Sequence, residues 1–569
     1  MTDTQRRIAQ AATLIAGLTL VARLFGFLRT IVFARTVGPT CLGSTYQTAN
    51  SVPNILYEIV AGGALATLVI PLIAGHVAKR EDEQVSRIAS ALLTWAILIL
   101  VPLSILIAVF STSIMHFLLG DTPCDGALES GARMLRVFAP QLVLYGISIV
   151  YAGVLQAYGR FAGPALAPLL SSLFVIAAYV LFAVVAPEGV DLDTVTLSQE
   201  LILSVGTTVG VLVMTLSMVV PSFWTPFRYR PRVRLPANLV VLARDLALWG
   251  AVALTAQQLS VVATLRLGND GAPGGTVVIY NLAYAVFLLP WAVLAVPIAT
   301  SAFPTLSAQW DRRDHDGFRV TSAGTLKTVF LLAFLAAAMM AAAAWPTAAV
   351  VVEGANGPPA TDVLARTLTL LAPGLVGISL IALLQRTLNA ARRPRAAAAS
   401  ISVGYAFMIV LAVVLSRALP ASVRAESLAA ATSVGVLIAG GLLLWALQRL
   451  LGRASLAGTA RTVVVGVGAA LAAAWVGRMA SDAMGQNPPL VSVFQALVAA
   501  AVVVIVFALV TIVFDRNALR TLMQRVRPGG GHAASSAEGE ASSEGSDGSV
   551  GGPPEVPGGA GWPDEQGRG

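Results

Sequence analysis

The chain has 569 residues, 56% hydrophobic and only 12% charged, with a mean hydropathy of +0.79; soluble domains run at roughly 45–50% apolar and about 25% charged. A soluble globular protein is excluded. The net charge of +8 hides a split: residues 528–569 hold seven acids and one arginine, a net of −6, so residues 1–527 carry +14. Basic residues spread thinly between apolar runs fit a membrane better than nucleic acid, which needs a soluble basic patch.

A bilayer core of about 30 Å takes around 20 apolar residues as helix. Such stretches fall near 10–36, 43–75, 88–115, 132–157, 163–186, 198–221, 239–267, 276–307, 319–348, 363–390, 396–416, 427–449, 460–481 and 490–514, about fourteen in all. Arg6 and Arg7 precede the first run, which Arg23 interrupts, so a retained first helix is expected in place of an export signal. The segments at 43–75 and 276–307 carry internal prolines (Pro53, Pro71; Pro290, Pro297, Pro304) and are expected to kink or break.

Loop charges alternate as the spans require. One side holds Lys79, Arg80 and Arg87, Arg160, the run Arg228 to Arg234, Arg312, Arg313 and Arg319, Arg392 to Arg395, and Arg449 to Arg461. The other holds Asp121, Asp125, Glu129, Glu188, Asp191, Asp193, Asp270, Glu353 and Asp362, with Arg417, Arg424 and single arginines near helix ends (Arg133, Arg266, Arg366, Arg478) as exceptions. Both termini are expected to be cytoplasmic. The tail from Pro528 has one aromatic residue, Trp562, and cannot bury enough apolar surface to fold.

Slid along itself by one fixed offset, the chain matches its own sequence: Pro71 meets Pro304, Lys79-Arg80-Glu81 meets Arg312-Arg313-Asp314, Ala132-Arg133 meets Ala365-Arg366, Ala139-Pro140 meets Ala372-Pro373, and Arg160 meets Arg393. Six spans separate corresponding elements, so the halves keep one orientation and are related by an axis along the membrane normal. The expected fold class is an all-α polytopic membrane protein with two six-helix lobes in parallel repeat, residues 1–227 and 228–456. Two C-terminal helices over 457–516 and a basic, then disordered, cytoplasmic tail over 517–569 complete it.

Four scattered histidines (His76, His116, His315, His532) and no nucleophile–base pattern exclude hydrolytic or transfer chemistry; no enzyme, catalytic residue, cofactor or metal site is expected. Cys41 and Cys124 show no metal-ligand spacing. Both fall in loops of the acidic side, where a disulfide suits the compartment, although sequence alone does not give their distance. The glycine pairs Gly62-Gly63 and Gly440-Gly441 lie inside apolar helices and read as helix-packing positions.

In the first helix, ARLFGFLRTIVFART places Arg23, Arg29 and Arg35 six residues apart. Arg23 lies roughly 24 Å along the axis from Arg7, and an arginine at a helix centre costs about 2.5–3.5 kcal/mol on insertion scales. Six residues turn a helix by about 600°, so the three share one stripe only if the helix bends near Gly26; Arg35 reads as an interface anchor. Arg23 and Arg29 either grip an anionic substrate, as planar forks do for phosphate oxygens, or pair with an acid or helix-end carbonyls. Glu58 is the natural counter-charge, with cation or proton coupling as the other role. Asn50, Asn54, Gln257, Gln258 and Asn281 line a cavity or tie helices together.

The segments ARLFGFLRTIVFARTVG, YQTANSVPNILYEIVAGGALATLVIPLIAG and IYNLAYAVFLLPWAVLAVPIATSAFPTLS resemble the MurJ (MviN) family of the multidrug/oligosaccharidyl-lipid/polysaccharide exporter superfamily. The resemblance covers most of residues 8–515. It implies fourteen helices, two lobes around a cationic cavity, and a groove for the lipid tail made with the last two helices. It also implies a flippase that moves lipid II, the polyprenyl-diphosphate-linked peptidoglycan precursor, across the cell membrane by alternating access. Arg23 and Arg29 fall on the family's first-helix arginines and Pro53-Asn54 on its second-helix Pro-Asn, so Arg23, Arg29 and Asn54 are the implied headgroup-binding residues. Tyr57, followed by Glu58, stands where the Gram-negative pattern has an arginine, as does Ala285, and Ser44 replaces an aspartate; ANSVPN is closer to actinobacterial members. Export of another polyprenyl-linked glycan and a non-transporting scaffold for cell-wall synthesis are the alternative functions. Expected partners are lipid II, membrane lipid and, through the tail, cell-wall synthesis or division proteins; nucleic acid is not one.

Overall fold

The computed structural model describes residues 3–59, 66–187, 189–233, 237–352, 358–452, 458–485 and 488–515. The expectations for Gly62-Gly63, Glu188, Glu353 and the tail over 517–569 lie outside the described residues. The described chain is helical: α1 (Asp3–Thr36), α2 (Cys41–Tyr57), α3 (Ala66–Ala78), α4 (Asp82–Val109), α5 (Ser111–Leu119), α6 (Ala127–Phe138), α7 (Gln141–Ala157), α8 (Ala162–Val185) and α9 (Leu197–Ser222) form a first series. A second comprises α10 (Ala237–Asn269), α11 (Thr276–Pro290), α12 (Val296–Asp311), α13 (His315–Ala342), α14 (Ala344–Val352), α15 (Pro358–Leu371), α16 (Gly374–Ala390), α17 (Pro394–Ala418) and α18 (Arg424–Leu451). Two more, α19 (Thr459–Asp482) and α20 (Pro489–Phe514), pack on α13.

Among the described residues, twelve helical runs are long and apolar enough to cross a membrane, thirteen if α15 and α16, bent by 46°, form one span. The remaining expected span, 43–75, is carried by α2 and α3 and passes through residues 60–65, outside those described. Four expected spans are each built of two helices: α4 and α5, α6 and α7, α13 and α14, and α15 and α16. The long segment 276–307 is interrupted as its prolines suggest: α11 ends at Pro290, a π turn spans Trp291–Ala295, and α12 follows directly. A π turn also begins at Glu58, just past Pro53. Wide turns of this kind absorb the hydrogen bond that proline cannot donate.

The helix bounds repeat at the offset seen in the sequence. Asp82–Val109 becomes His315–Ala342, Ser111–Leu119 becomes Ala344–Val352, and Gln141–Ala157 becomes Gly374–Ala390, all by the same displacement that carries Pro71 to Pro304. The turns repeat too. Arg80 and Arg313 share a left-handed backbone (φ 59° and 61°), as do Gly159 and Arg392 (φ 71° and 56°). In every case the next amide reaches back to close the preceding helix: Glu81 to His76, Asp314 to Gln309, Arg160 to Leu155 and Arg393 to Leu388. This is the Schellman type of C-cap, which favours glycine at the left-handed position. Three of the four carry arginine there, accepting a small backbone cost for a cation at the carbonyl end of a helix.

Without a hydrophobic drive between helices in lipid, close approach through small residues supplies the packing. Along α17 and α18 a Cβ at Gly404 would sit 2.4 Å from the Ala439 Cβ. Gly440 fits the packing reading, its missing Cβ lying 3.0 Å from the Leu380 Cβ, whereas Gly441 meets nothing within 4 Å. Gly404→Leu is expected to lower the thermal stability of the detergent-purified protein by about 1–3 kcal/mol through overpacking. Gly441→Ala, measured in the same melt, should be neutral.

Candidate functional site

The first-helix arginines stand on one unbroken helix, with no break at Gly26. Arg23 is exposed and Arg29 half-buried, and among the described residues neither makes an ion pair. Arg29 is close enough to act electrostatically on the hydroxyls of Tyr46, Tyr145 and Tyr179. Tyr145 in turn packs on Tyr57 with ring centroids 4.9 Å apart, so the position that departs from the family pattern belongs to the surroundings of Arg29. Asn54 donates from Nδ2 to the Asn50 carbonyl at 2.8 Å, and the Asn50 Oδ1 is buried without a hydrogen bond.

Glu58 is exposed and, among the described residues, forms no ion pair with Arg23 or Arg29. Glu58 opens the π turn and is itself still in register with α2, its amide donating to the Asn54 carbonyl. Tyr145, Tyr46 and Tyr179 escaped the sequence reading; their only signal was a phenol inside an apolar helix.

The two series of helices are hydrogen-bonded at one end. Cys41 and Cys124 form a disulfide with their Cα atoms 5.7 Å apart, joining the start of α2 to the loop before α6. Around it, Gly275 N donates to Ser44 Oγ (3.1 Å), Asn269 Nδ2 to Thr48 Oγ1 (3.0 Å), Asn281 Nδ2 to Gln47 Oε1 (2.5 Å) and Gly271 N to the Asp121 carbonyl (3.1 Å). Asp121 N donates to Asp270 Oδ1 at 2.9 Å. Arg35 is more than an interface anchor, because its guanidinium donates to the Val350 carbonyl at 2.5 Å across the seam. Gly275 (φ 86°) lets this happen, since a Cβ there would lie 2.0 Å from the Pro39 oxygen. Among the described residues, all side-chain hydrogen bonds between the two series lie at this disulfide end.

Burial pushes the Asp270 carboxyl up, but the Asp121 amide and the Arg266 guanidinium outweigh it and hold it below its ordinary value. A depressed acid stabilises the fold above its unfolded pKa and loses that contribution as pH falls through the folded one. The Asp270 contact should thus be complete at neutral pH and fail only in acid below the usual aspartate range.

All of the arginines that broke the charge alternation except Arg417 have partners among the described residues. Arg133 meets Glu200 at 2.8 Å, Arg266 meets Asp270 at 2.8 Å, Arg366 meets Glu426 at 3.3 Å and Arg478 lies 3.8 Å from Asp482; Arg424 donates to the Ser416 carbonyl. Arg133–Glu200 and Arg366–Glu426 are one feature repeated, since Arg133 and Arg366 correspond under the repeat and each acid sits in the last long helix of its series. The copies differ. Arg133 grips both Glu200 oxygens, whereas both Glu426 oxygens are buried without a hydrogen bond beside a cavity of about 610 Å³ that Trp345, Asp362 and Arg478 also line.

An all-helical polytopic membrane protein with a duplicated helix series and a seam at one end is the class that fold and site define. A family model described as "Lipid II flippase MurJ" matches residues 33–514, and the chain belongs to that family. It is 28% identical over 386 residues to "Lipid II flippase MurJ" of Burkholderia cenocepacia, covering 66% of this chain and 72% of that protein. It is 25% identical to a "Probable lipid II flippase MurJ" of Rhizobium meliloti, covering 64% and 68%. In fold it is similar to a structure described as "Lipid II flippase MurJ, inward closed conformation", with TM-score 0.70 at 17% identity over 89% of this chain and all of that one. It is also similar to an inward-facing multidrug resistance MATE family transporter of the MOP superfamily, with TM-score 0.61 at 15% identity over 77% and 98%.

Two measurements probe this geometry. Glu200→Gln should lower the melting stability by about 1–3 kcal/mol, a buried-pair loss discounted for the half-exposed Arg133, and Glu426→Gln should cost less because its carboxylate holds no hydrogen bond. A membrane-impermeant maleimide should label Cys41 and Cys124 only after reduction; ready labelling of the untreated protein would contradict the disulfide.

Proposed function

We propose that this chain carries lipid II across the cell membrane by alternating access, for cell-wall synthesis. Residues 1–227 and 228–456 act as the two lobes, whose rocking opens and closes the seam, and residues 457–516 add a helix pair to the second. The disulfide end faces outward and both termini lie in the cytoplasm, in keeping with the acidic loops at one end and the arginine turns at the other. Arg23, Arg29 and Asn54 receive the diphosphate and headgroup, and Glu58, free of both arginines, is left to sense charge or couple an ion. ANSVPN supports an actinobacterial type of member. The tail serves as a solvated extension open to cell-wall synthesis or division proteins.

The observation that carries this reading is the one-ended seam: the two halves of the repeat are hydrogen-bonded to each other beside the disulfide, while Arg23 and Arg29 have no acid partner among the described residues. A phosphate brought to a guanidinium with no acid partner gains charge-assisted hydrogen bonds.

Purified protein in liposomes, supplied with lipid II and separately with other polyprenyl-linked sugars, tests the reading. Lipid II should cross, and Arg23→Ala or Arg29→Ala should slow it roughly tenfold or more, the scale of one lost hydrogen bond to a charged group. Transport of a different glycan alone would move the substrate assignment, and full activity in folded variants of both arginines would remove them from the site.

A further inference from the structure

The segment joining the two helix series, residues 226–233, is a strap laid along α4. Arg228 N donates to Ser86 Oγ (3.2 Å), Arg230 N to Ser90 Oγ (3.0 Å) and Arg232 N to Thr94 Oγ1 (3.3 Å), and Trp95 Nε1 donates to the Val233 carbonyl (2.9 Å). The register is geometric: four helical residues rise about 6 Å and two extended residues about 6.6 Å. Hydroxyls spaced by four on α4 therefore meet every second amide of the strap. The same register carries the three arginines along α4, so that Arg232 lies level with a point about 12 Å beyond Ser86. From Ile88 to Val109 that helix has no charged residue.

Beside the strap is a cleft of about 280 Å³ whose walls include Arg87, Arg228, Arg230 and Arg232, against the two acids Asp82 and Glu83. Asp82 accepts from the Tyr158 hydroxyl at 2.8 Å, and Glu83 pairs with Arg87 at 2.5 Å while also lying within electrostatic reach of Arg230 and Arg232. Arg228 donates to the carbonyls of Thr225 and Phe227. Among the described residues, the guanidinium groups of Arg230 and Arg232 have no hydrogen-bond or ion-pair partner. Phe223, Trp224 and Tyr229 are exposed nearby on the same segment, the aromatic composition of a membrane–water interface.

We propose that this strap cleft binds the phosphate group of a lipid headgroup, held between Arg230 and Arg232. Two unpaired planar forks, with a net of two positive charges among the walls, match a phosphate or diphosphate, and basic pockets at helix ends are where anionic headgroups settle. The site is separate from Arg23 and Arg29 and does not depend on the transport reading.

The test uses the full-length protein in phosphatidylcholine nanodiscs, with bound lipid counted by mass spectrometry of the intact complex. Phosphatidylglycerol and an unglycosylated polyprenyl diphosphate are titrated as separate arms. Arg230→Gln/Arg232→Gln, confirmed to melt like the parent, should weaken at least one arm by about thirtyfold; the arm that falls identifies the source of the phosphate. The matched pair Arg312→Gln/Arg313→Gln removes two arginines from another turn at the same end and should leave binding unchanged. An equal loss in both pairs would reduce the effect to diffuse surface charge and overturn the proposal, as would undiminished binding of both lipids to Arg230→Gln/Arg232→Gln.

Discussion

A guanidinium held within a bilayer costs about 2.5–3.5 kcal/mol on insertion scales unless something answers its charge, and the arginines of this chain are arranged around that cost. Those in the turns sit at helix ends, several in a left-handed position that glycine would occupy more easily. Those nearer the disulfide end are matched one by one: Arg133 with Glu200, Arg266 with Asp270, Arg366 with Glu426. Arg23 and Arg29 have no such acid among the described residues, and neither do Arg230 and Arg232.

The seam sets the second constraint. Two helix series pack closely only where side chains withdraw, and here the chain uses Gly274 and Gly275. A Cβ on Gly274 would lie 2.7 Å from the Cys41 sulfur, so the disulfide and the glycine fit as one surface. Burial of Asn269 and Thr48 at this contact makes it a sealed, hydrogen-bonded junction. At the opposite end the strap along α4 ties the series together covalently. Alternation of the proposed kind would break the first junction and keep the second, where the uncharged serine and threonine ladder of α4 holds the strap.

Duplication left its mark on energetics as well as on helix bounds. The two Arg–Glu pairs occupy corresponding places, yet the first is bidentate and closed while the second is a single longer contact beside a cavity. Among the described residues α19 and α20 pack on α13 and α14 of the second series, so the lobes meet different neighbours, and Arg478 of α19 joins the second cavity. Corresponding positions have therefore diverged where their surroundings differ.

Sequence by itself determined the membrane class, nearly all the spans, the repeat and its offset, and the family, because the hydropathy of a membrane-length window and the motifs along a helix are local properties. It singled out Arg23 and Arg29 for the same reason: depth along one helix follows from residue count. Tertiary structure decided which charges meet. By depth alone Glu58 stands level with Arg23 and Arg29, yet among the described residues it pairs with neither. Arg133 looked like an unpaired exception until folding brought the distant Glu200 beside it. Whether Cys41 and Cys124 could bond was likewise a matter of distance across 83 residues. Azimuth around a helix and proximity between helices depend on packing contacts that no single segment encodes, so charge pairing and the seam emerge only in the folded chain.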